Sequence, residues 1–299
     1  MIASSTNDGA PQYDWFKEQT LHQWSDPESN SVVAFRAMQI SPPDSNKDCV
    51  PCKEVPVAVY FPGLGEDPCV IIKMKAAWAE IAPEPFFIVA PVIPPTMWWF
   101  IENDGQFGWI EGEFKPDVLA RFSCWLAFLA GLPVVDKRRI GLFGFSAGAY
   151  AVVEMFSHLG CIPLSGIGLG GVHGHGQRDL ENVPEDKAQS AVMKFEAFLQ
   201  RIKEHRGVPW IEATHGTTDK ESSFTDAQEI IQCINEQQVL VGRPKVSVRE
   251  LAPEDQDIKA GEWGNKTHHS YFKAAFYRTE FLVALLGGPS PAQPAPGAS

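Results

Sequence analysis

Arg139-Ile-Gly-Leu-Phe-Gly144-Phe145-Ser146-Ala147-Gly148-Ala-Tyr-Ala-Val-Val153 is the most informative stretch of the chain. An apolar run of strand character leads into G-x-S-x-G, and a run with helical spacing follows. In that setting the motif has a mechanical meaning. A sharp strand-to-helix turn holds the serine in a strained backbone conformation, and glycine two residues to either side lets neighbouring backbone pass at close range. Ser146 then stands at a helix N-terminus, where the first N–H groups are unpaired and the helix dipole favours developing negative charge.

Outward from this turn, short apolar runs alternate with helical patterns, the mark of a mostly parallel sheet wrapped by helices. The strand candidates span 32–40, 55–61, 86–92, 139–143, 162–169, 208–213 and 245–251. Several are continuously apolar, as strands buried on both faces should be. Val118, Phe122, Trp125, Leu129 and Leu132 recur at helical spacing and predict a helix over 116–130. Pro116 suits its first turn, Gly131 its cap and Pro133 its stop. Further helices are expected over 70–81, 147–159, 187–205, 225–235 and 271–286.

A serine hydroxyl is a weak nucleophile until a base takes its proton and an acid orients that base. Both residue types follow Ser146 in the chain. Thr214-His215-Gly216-Thr217-Thr218-Asp219 places a carboxylate just after a strand, where open α/β sheets gather their sites. Asn265-Lys-Thr-His268-His269-Ser-Tyr-Phe opens the last helical pattern. Glu221 is a rival to Asp219, and reads better as a solvated loop charge.

These segments together resemble the α/β-hydrolases, in the branch of esterases, dienelactone hydrolases and prolyl-oligopeptidase-like enzymes. The resemblance extends over roughly residues 55–286. Phe61-Pro62-Gly63-Leu64-Gly65-Glu66 resembles that branch's oxyanion loop, His-Gly-x-Gly-Glu after an apolar strand, with Pro62 in place of the histidine. Val89-Ala-Pro91 resembles its next strand end, and Asp136-Lys-Arg-Arg139-Ile the lead into the nucleophile strand. Asp219 matches the acid of the family's His-Gly-x-x-Asp segment. His269, with Phe272 and Phe276 three and seven residues on, fits the family's base better than His268, whose partner seven residues on is Ala275.

The resemblance implies an α/β-hydrolase fold with helices on both faces of the sheet and a minimal lid. It implies a triad of Ser146, Asp219 and His269, with His268 as second choice for the base, and an oxyanion hole from the backbone N–H groups of Leu64 and Ala147. It implies acyl transfer from a small-molecule acyl substrate with no metal or organic cofactor. A carboxylic ester ranks first; a thioester, lactone or peptide would use the same triad. A receptor that keeps the fold and binds ligand without turning it over is the alternative of a different class.

Met97-Trp98-Trp99-Phe100, with Phe107 and Trp109, is dense in aromatics for a loop. Trp98, Trp99, Trp109 and Phe145 are candidates for an apolar substrate pocket.

The whole chain has 299 residues with 25 Lys+Arg against 37 Asp+Glu, a net charge of −12. Such a surface repels phosphate backbones, so nucleic acid is not expected as a partner. The longest uncharged runs, 122–135 and 140–153, fall short of the roughly 20 apolar residues that span a bilayer. The start, MIASSTNDGAPQYDW, has neither a basic leader nor an apolar core, which predicts a cytoplasmic protein.

Residues 1–30 read as a polar extension anchored by Trp15 and Trp24, 31–286 as a single domain and 287–299 as a disordered Pro/Gly/Ala-rich tail. Cys49 and Cys52 have redox or zinc spacing, yet nothing nearby completes a site. Gly166, Gly168 and Gly171 fit a dinucleotide fingerprint, but His173-Gly-His175-Gly denies it the helix it needs. Asn265-Lys-Thr267 is a chance glycosylation sequon in this reading. The stretch 172–206 is the one insertion that could form a lid, and its stripe of Ala191, Val192, Phe195, Phe198, Leu199 and Ile202 predicts a helix packed on the body.

Overall fold

The computed structural model describes residues 3–4, 21–28, 31–43, 54–93, 113–158, 162–181, 183–203, 210–217, 219, 222–242, 247–251 and 279–286. Its strands are β1 (Ala3–Ser4), β2 (Leu21–Ser25), β3 (Val32–Ile40), β4 (Val55–Phe61), β5 (Phe86–Pro91), β6 (Val135–Phe145), β7 (Leu164–Gly170), β8 (Ile211–Gly216) and β9 (Ser247–Leu251). Among the described residues they form one sheet in the order β1-β2-β3-β5-β4-β6-β7-β8-β9. β3 runs antiparallel to both neighbours, and every pairing from β5 to β9 is parallel.

The helices are α1 (Val70–Ile81), α2 (Pro116–Gly131), α3 (Ala147–His158), α4 (Ala188–Ile202), α5 (Phe224–Leu240) and α6 (Thr279–Leu285). They cover the sheet on both sides because the central strands are apolar on both faces. Val57, Val59 and Phe61 of β4 pack with α2 to α5, while Ala58 and Tyr60 pack with α1 and α6.

Three differences from the sequence reading have plain causes. β6 starts at Val135, not 139, because Asp136, Lys137 and Arg138 continue the strand past the apolar core. β2 lies inside the segment expected to be a polar extension; its Leu-His-Gln-Trp-Ser alternates as a strand near the sheet edge, with Trp24 buried and stacked on Phe128. α5 runs five residues beyond Asn235, through Gln237 and Gln238 to Leu240, because Gln238 is buried and keeps the helix against the body.

The sheet order positions the site. From β4 the chain crosses by α1 to β5 on one side, and β6 lies on β4's other side, so the crevice beyond the ends of β4 and β6 is a topological switch point. Register brings the strand ends level. Phe61 pairs with Gly144, Phe145 with Gly170, and Gly170 with Thr214. The loops after β4, β6, β7 and β8 therefore leave the sheet side by side.

Candidate active site

Ser146 is the single residue between β6 and α3 and has φ +54°, the only positive φ of a non-glycine among the described residues. A left-handed serine costs on the order of 1–3 kcal/mol and persists only where its surroundings over-determine it. They do so here. Its N–H donates to the Gly170 carbonyl at 2.8 Å, and its own carbonyl accepts from Ala149 at 2.8 Å and Tyr150 at 3.1 Å. Both motif glycines are sterically required. A Cβ on Gly148 would sit 1.9 Å from the Phe61 carbonyl oxygen, and one on Gly144 would sit 2.3 Å from that of Gly148. Ala147, first in α3, presents an N–H with no intrahelical acceptor.

The loop after β4 lies against this turn. Its Glu66 N–H donates to the Gly63 carbonyl at 3.1 Å, and Gly65 takes φ +74° to close the bend. The Glu66 carboxylate reaches back inside the loop, accepting from the Gly63 N–H at 2.8 Å and the Tyr60 hydroxyl at 2.5 Å. Burial pushes the Glu66 carboxyl above its usual range, against the pull of those two hydrogen bonds. Leu64 at the tip is half-exposed, and Phe145 is buried beneath the loop, its ring facing Gly63. Pro62 packs its carbonyl against the start of α3, 2.6 Å from where a Cβ of Gly148 would lie.

Asp219 is half-buried after β8. Its N–H donates to the Gly216 carbonyl at 3.3 Å, and its Oδ1 accepts the Ser222 N–H at 3.1 Å. Level strand ends thus bring the loops of Ser146, Leu64 and Asp219 to one rim of the sheet.

No protein-family model and no curated protein sequence matches the chain. Solved structures do match it in shape. A thermostable esterase superposes with a TM-score of 0.55 over 91% of this chain at 19% identity, this chain spanning 63% of that protein. An esterase from the Planctomycetes species Thermogutta terrifontis gives 0.54 at 14% identity, covering 95% of this chain and 97% of its own. An S-formylglutathione hydrolase from Agrobacterium tumefaciens gives 0.54 at 14% identity, covering 89% and 95%. The chain has the α/β-hydrolase fold.

Within this α/β-hydrolase fold, His268 and His269 lie outside the described residues, as do Trp98, Trp99, Trp109, Glu221, Cys49, Cys52 and Asn265. His269 precedes α6 by ten residues, and α6 is anchored across the sheet: Leu282 and Leu285 are fully buried, and the Ser165 hydroxyl of β7 lies within hydrogen-bond distance of the Leu285 carbonyl. Two glycines of the dinucleotide fingerprint, Gly166 and Gly168, lie inside β7 rather than in a turn before a helix. His173 stacks on Tyr150 with ring centroids 6.0 Å apart and planes 3° from parallel. Among the described residues no helix is long and apolar enough to cross a membrane.

Several structuring groups escape a sequence reading. Glu154 on α3 is fully buried, accepting from the Tyr150 hydroxyl at 2.8 Å and from Arg201 Nε of α4 at 3.0 and 3.1 Å. Burial and the adjacent Glu154 carboxylate push the Tyr150 hydroxyl well above its usual pKa. The Arg201 guanidinium lies 4.1 Å over the Phe114 ring. A charge inside the apolar run Ala-Val-Val-Glu-Met-Phe was the available signal, since a buried charge requires a partner. In the insertion before α4, the Asp226 carboxylate of α5 accepts the N–H groups of Arg178 and Asp179. Phe195, Phe198 and Ile202 of α4 are fully buried, as the apolar stripe predicts.

Proposed function

We propose that the chain is a serine hydrolase that cleaves a carboxylic ester through an acyl-enzyme on Ser146. The observation that carries this reading is the strained Ser146, fixed between β6 and α3 with glycine on both sides. A packing turn has no use for a left-handed serine, whereas a nucleophile gains exposure at a helix N-terminus from it. The solved structures of similar shape include two esterases and an S-formylglutathione hydrolase, which supports acyl transfer; ester is ranked ahead of thioester as the first class to assay.

In this mechanism His269 takes the Ser146 proton as Oγ attacks the carbonyl, and Asp219 holds the imidazole's tautomer and its charged form. The N–H groups of Ala147 and Leu64 stabilise the oxyanion, each donor being worth about 3 to 4 kcal/mol where such donors have been removed. His269 then returns the proton to the leaving alcohol, and a water repeats the sequence to release the acid. Trp98, Trp99 and Trp109 are assigned here as the apolar contacts of the acyl or alcohol group, while Phe145 is buried beneath the loop of Gly63.

A fluorophosphonate probe with mass mapping of the adduct, beside a panel of acyl esters and thioesters, tests this reading. The expected result is labelling at Ser146, multiple turnover of one ester class, and loss of both in Ser146→Ala. His269→Ala loses activity by several orders of magnitude and His268→Ala only modestly; the reverse result moves the base by one residue. Stoichiometric ligand binding without turnover in folded protein would replace the enzyme by a receptor.

A further inference from the structure

The proposed acid and the nucleophile turn are joined by a short relay of hydrogen bonds. Ser146 N–H donates to the Gly170 carbonyl at 2.8 Å. The next two carbonyls, of Gly171 and Val172, each lie 3.1 Å from the hydroxyl oxygen of Ser222. Ser222 in turn donates its backbone N–H to Asp219 Oδ1 at 3.1 Å. His215 Nε2 lies 3.3 Å from the same Ser222 oxygen, while its Nδ1 is 3.0 Å from the Gly216 carbonyl.

Ser222 and His215 are both buried, unlike the exposed serines of an ordinary loop. A hydroxyl carries one proton, and the Gly171 and Val172 carbonyls share it with His215 Nε2, the acceptor nitrogen of a neutral ring whose Nδ1–H donates to the Gly216 carbonyl. The backbone on either side is equally fixed: Gly171 adopts φ +58°, and its N–H donates to the Thr214 carbonyl of β8 at 2.9 Å. The loop of the acid is therefore pinned to the loop beside the nucleophile at a side chain, not left to its own backbone.

We infer that Ser222, backed by His215, is a positioning residue for the reaction: it fixes one carboxylate oxygen of Asp219 relative to the Ser146 turn, and so the line along which Asp219 meets the base. This rests on the reading of Asp219 as the triad acid. Removing the hydroxyl leaves the Ser222 N–H in the chain but releases the loop that aims it. Misplacement of a catalytic group by about 1 Å costs up to about 100-fold in rate.

The test compares Ser222→Ala, Ser222→Thr and wild type as full chains. The readouts are ester turnover over pH, fluorophosphonate labelling rate at Ser146, and thermal midpoint. Ser222→Ala is expected to lower kcat by about 10- to 100-fold with KM nearly unchanged. It also moves the acid limb of kcat/KM to lower pH by about half a unit or more, because an imidazole that loses its carboxylate gives up its proton more readily. Ser222→Thr, which keeps the hydroxyl, restores most of both. Unchanged kcat and pH profile in Ser222→Ala overturn the assignment. So does a fall in activity that tracks the thermal midpoint with the acid limb in place, which is the signature of loosened structure alone. Should Ser222→Ala not fold, Ser222→Cys, of similar volume with a weak donor, carries the same comparison. A wild-type chain that neither labels at Ser146 nor turns over an ester is a separate outcome: it removes the reaction and the role of Ser222 with it.

Discussion

The two ends of β6 solve opposite problems. Where the strand enters the sheet, buried Asp136 is met by Arg138 Nε at 3.2 Å and Arg139 Nε at 2.8 Å, and Arg139 also pairs with Glu84 of the loop before β5. Burial works against the Asp136 charge, but the two arginines overcome it and hold the carboxyl at about 2. Where the strand leaves, ten residues later, Ser146 is kept in a conformation that serine avoids and has backbone packed against it instead of counter-charge. One end is relaxed and contributes stability; the other is strained and stores geometry. A single strand of eleven residues links the two because β6 lies inside the sheet, clamped by β4 and β7.

The largest break in this comparison is Gly148→Ala. With the new methyl 1.9 Å from the Phe61 carbonyl oxygen, backbone must move, and a loss of about 3 kcal/mol or more is expected in denaturant titration, with activity lost as well. An Ala variant of wild-type stability would mean that β4 and α3 are not in contact.

At the entry end, Asp136→Asn is expected to cost about 1 to 2 kcal/mol at neutral pH, a figure discounted for the exposure of Arg138. The sign follows from a folded pKa of about 2 against 3.8 for an unperturbed aspartate. Asp136 stabilises the fold above pH 4, and its contribution drains away as pH falls toward 2. Stability curves of wild type and Asp136→Asn should therefore converge in acid, while ester turnover at neutral pH is the same in both. A gap that persists at pH 2 would assign the loss to packing.

The smallest expected effect is the most direct measure of strain. Ser146→Gly relieves the positive φ that Ser146→Ala retains, so the glycine variant should be the more stable of the two inactive proteins by about 1 kcal/mol. Equal midpoints would show the turn to be unstrained.

Sequence legibility followed the same division. The buried strands β4 and β5 read directly, since a strand apolar on both faces leaves a continuous run, and the exit of β6 read through the spacing of Gly144, Ser146 and Gly148. The entry of β6 did not, because Val-Asp-Lys-Arg lacks the alternation of a half-buried strand and its arginines are satisfied locally by Asp136. The place of Asp219 just after a strand is legible, yet the contact of Ser222 is not. Its partners at Gly171 and Val172 are 51 and 50 residues away, and nothing in a Ser-Ser dipeptide announces a contact made only when β7 and β8 pair. Glu66 was read as part of a loop pattern, without the inward turn that makes its carboxylate the acceptor for Gly63 and Tyr60.

The ion pair between Glu154 and Arg201 bears on how a substrate could arrive. It ties α3, the helix that follows Ser146, to α4 of the insertion. Swinging α4 away would break that pair and also expose Phe195, Phe198 and Ile202, at about 1.5 kcal/mol or more each, which puts such a state well below about one molecule in a hundred at any moment. If traffic to Ser146 had to wait for that state, the observed affinity for every substrate would be weakened by the same factor. An entry that leaves α4 seated carries no such handicap, so under the proposed function α4 is expected to stay in place while substrate reaches Ser146.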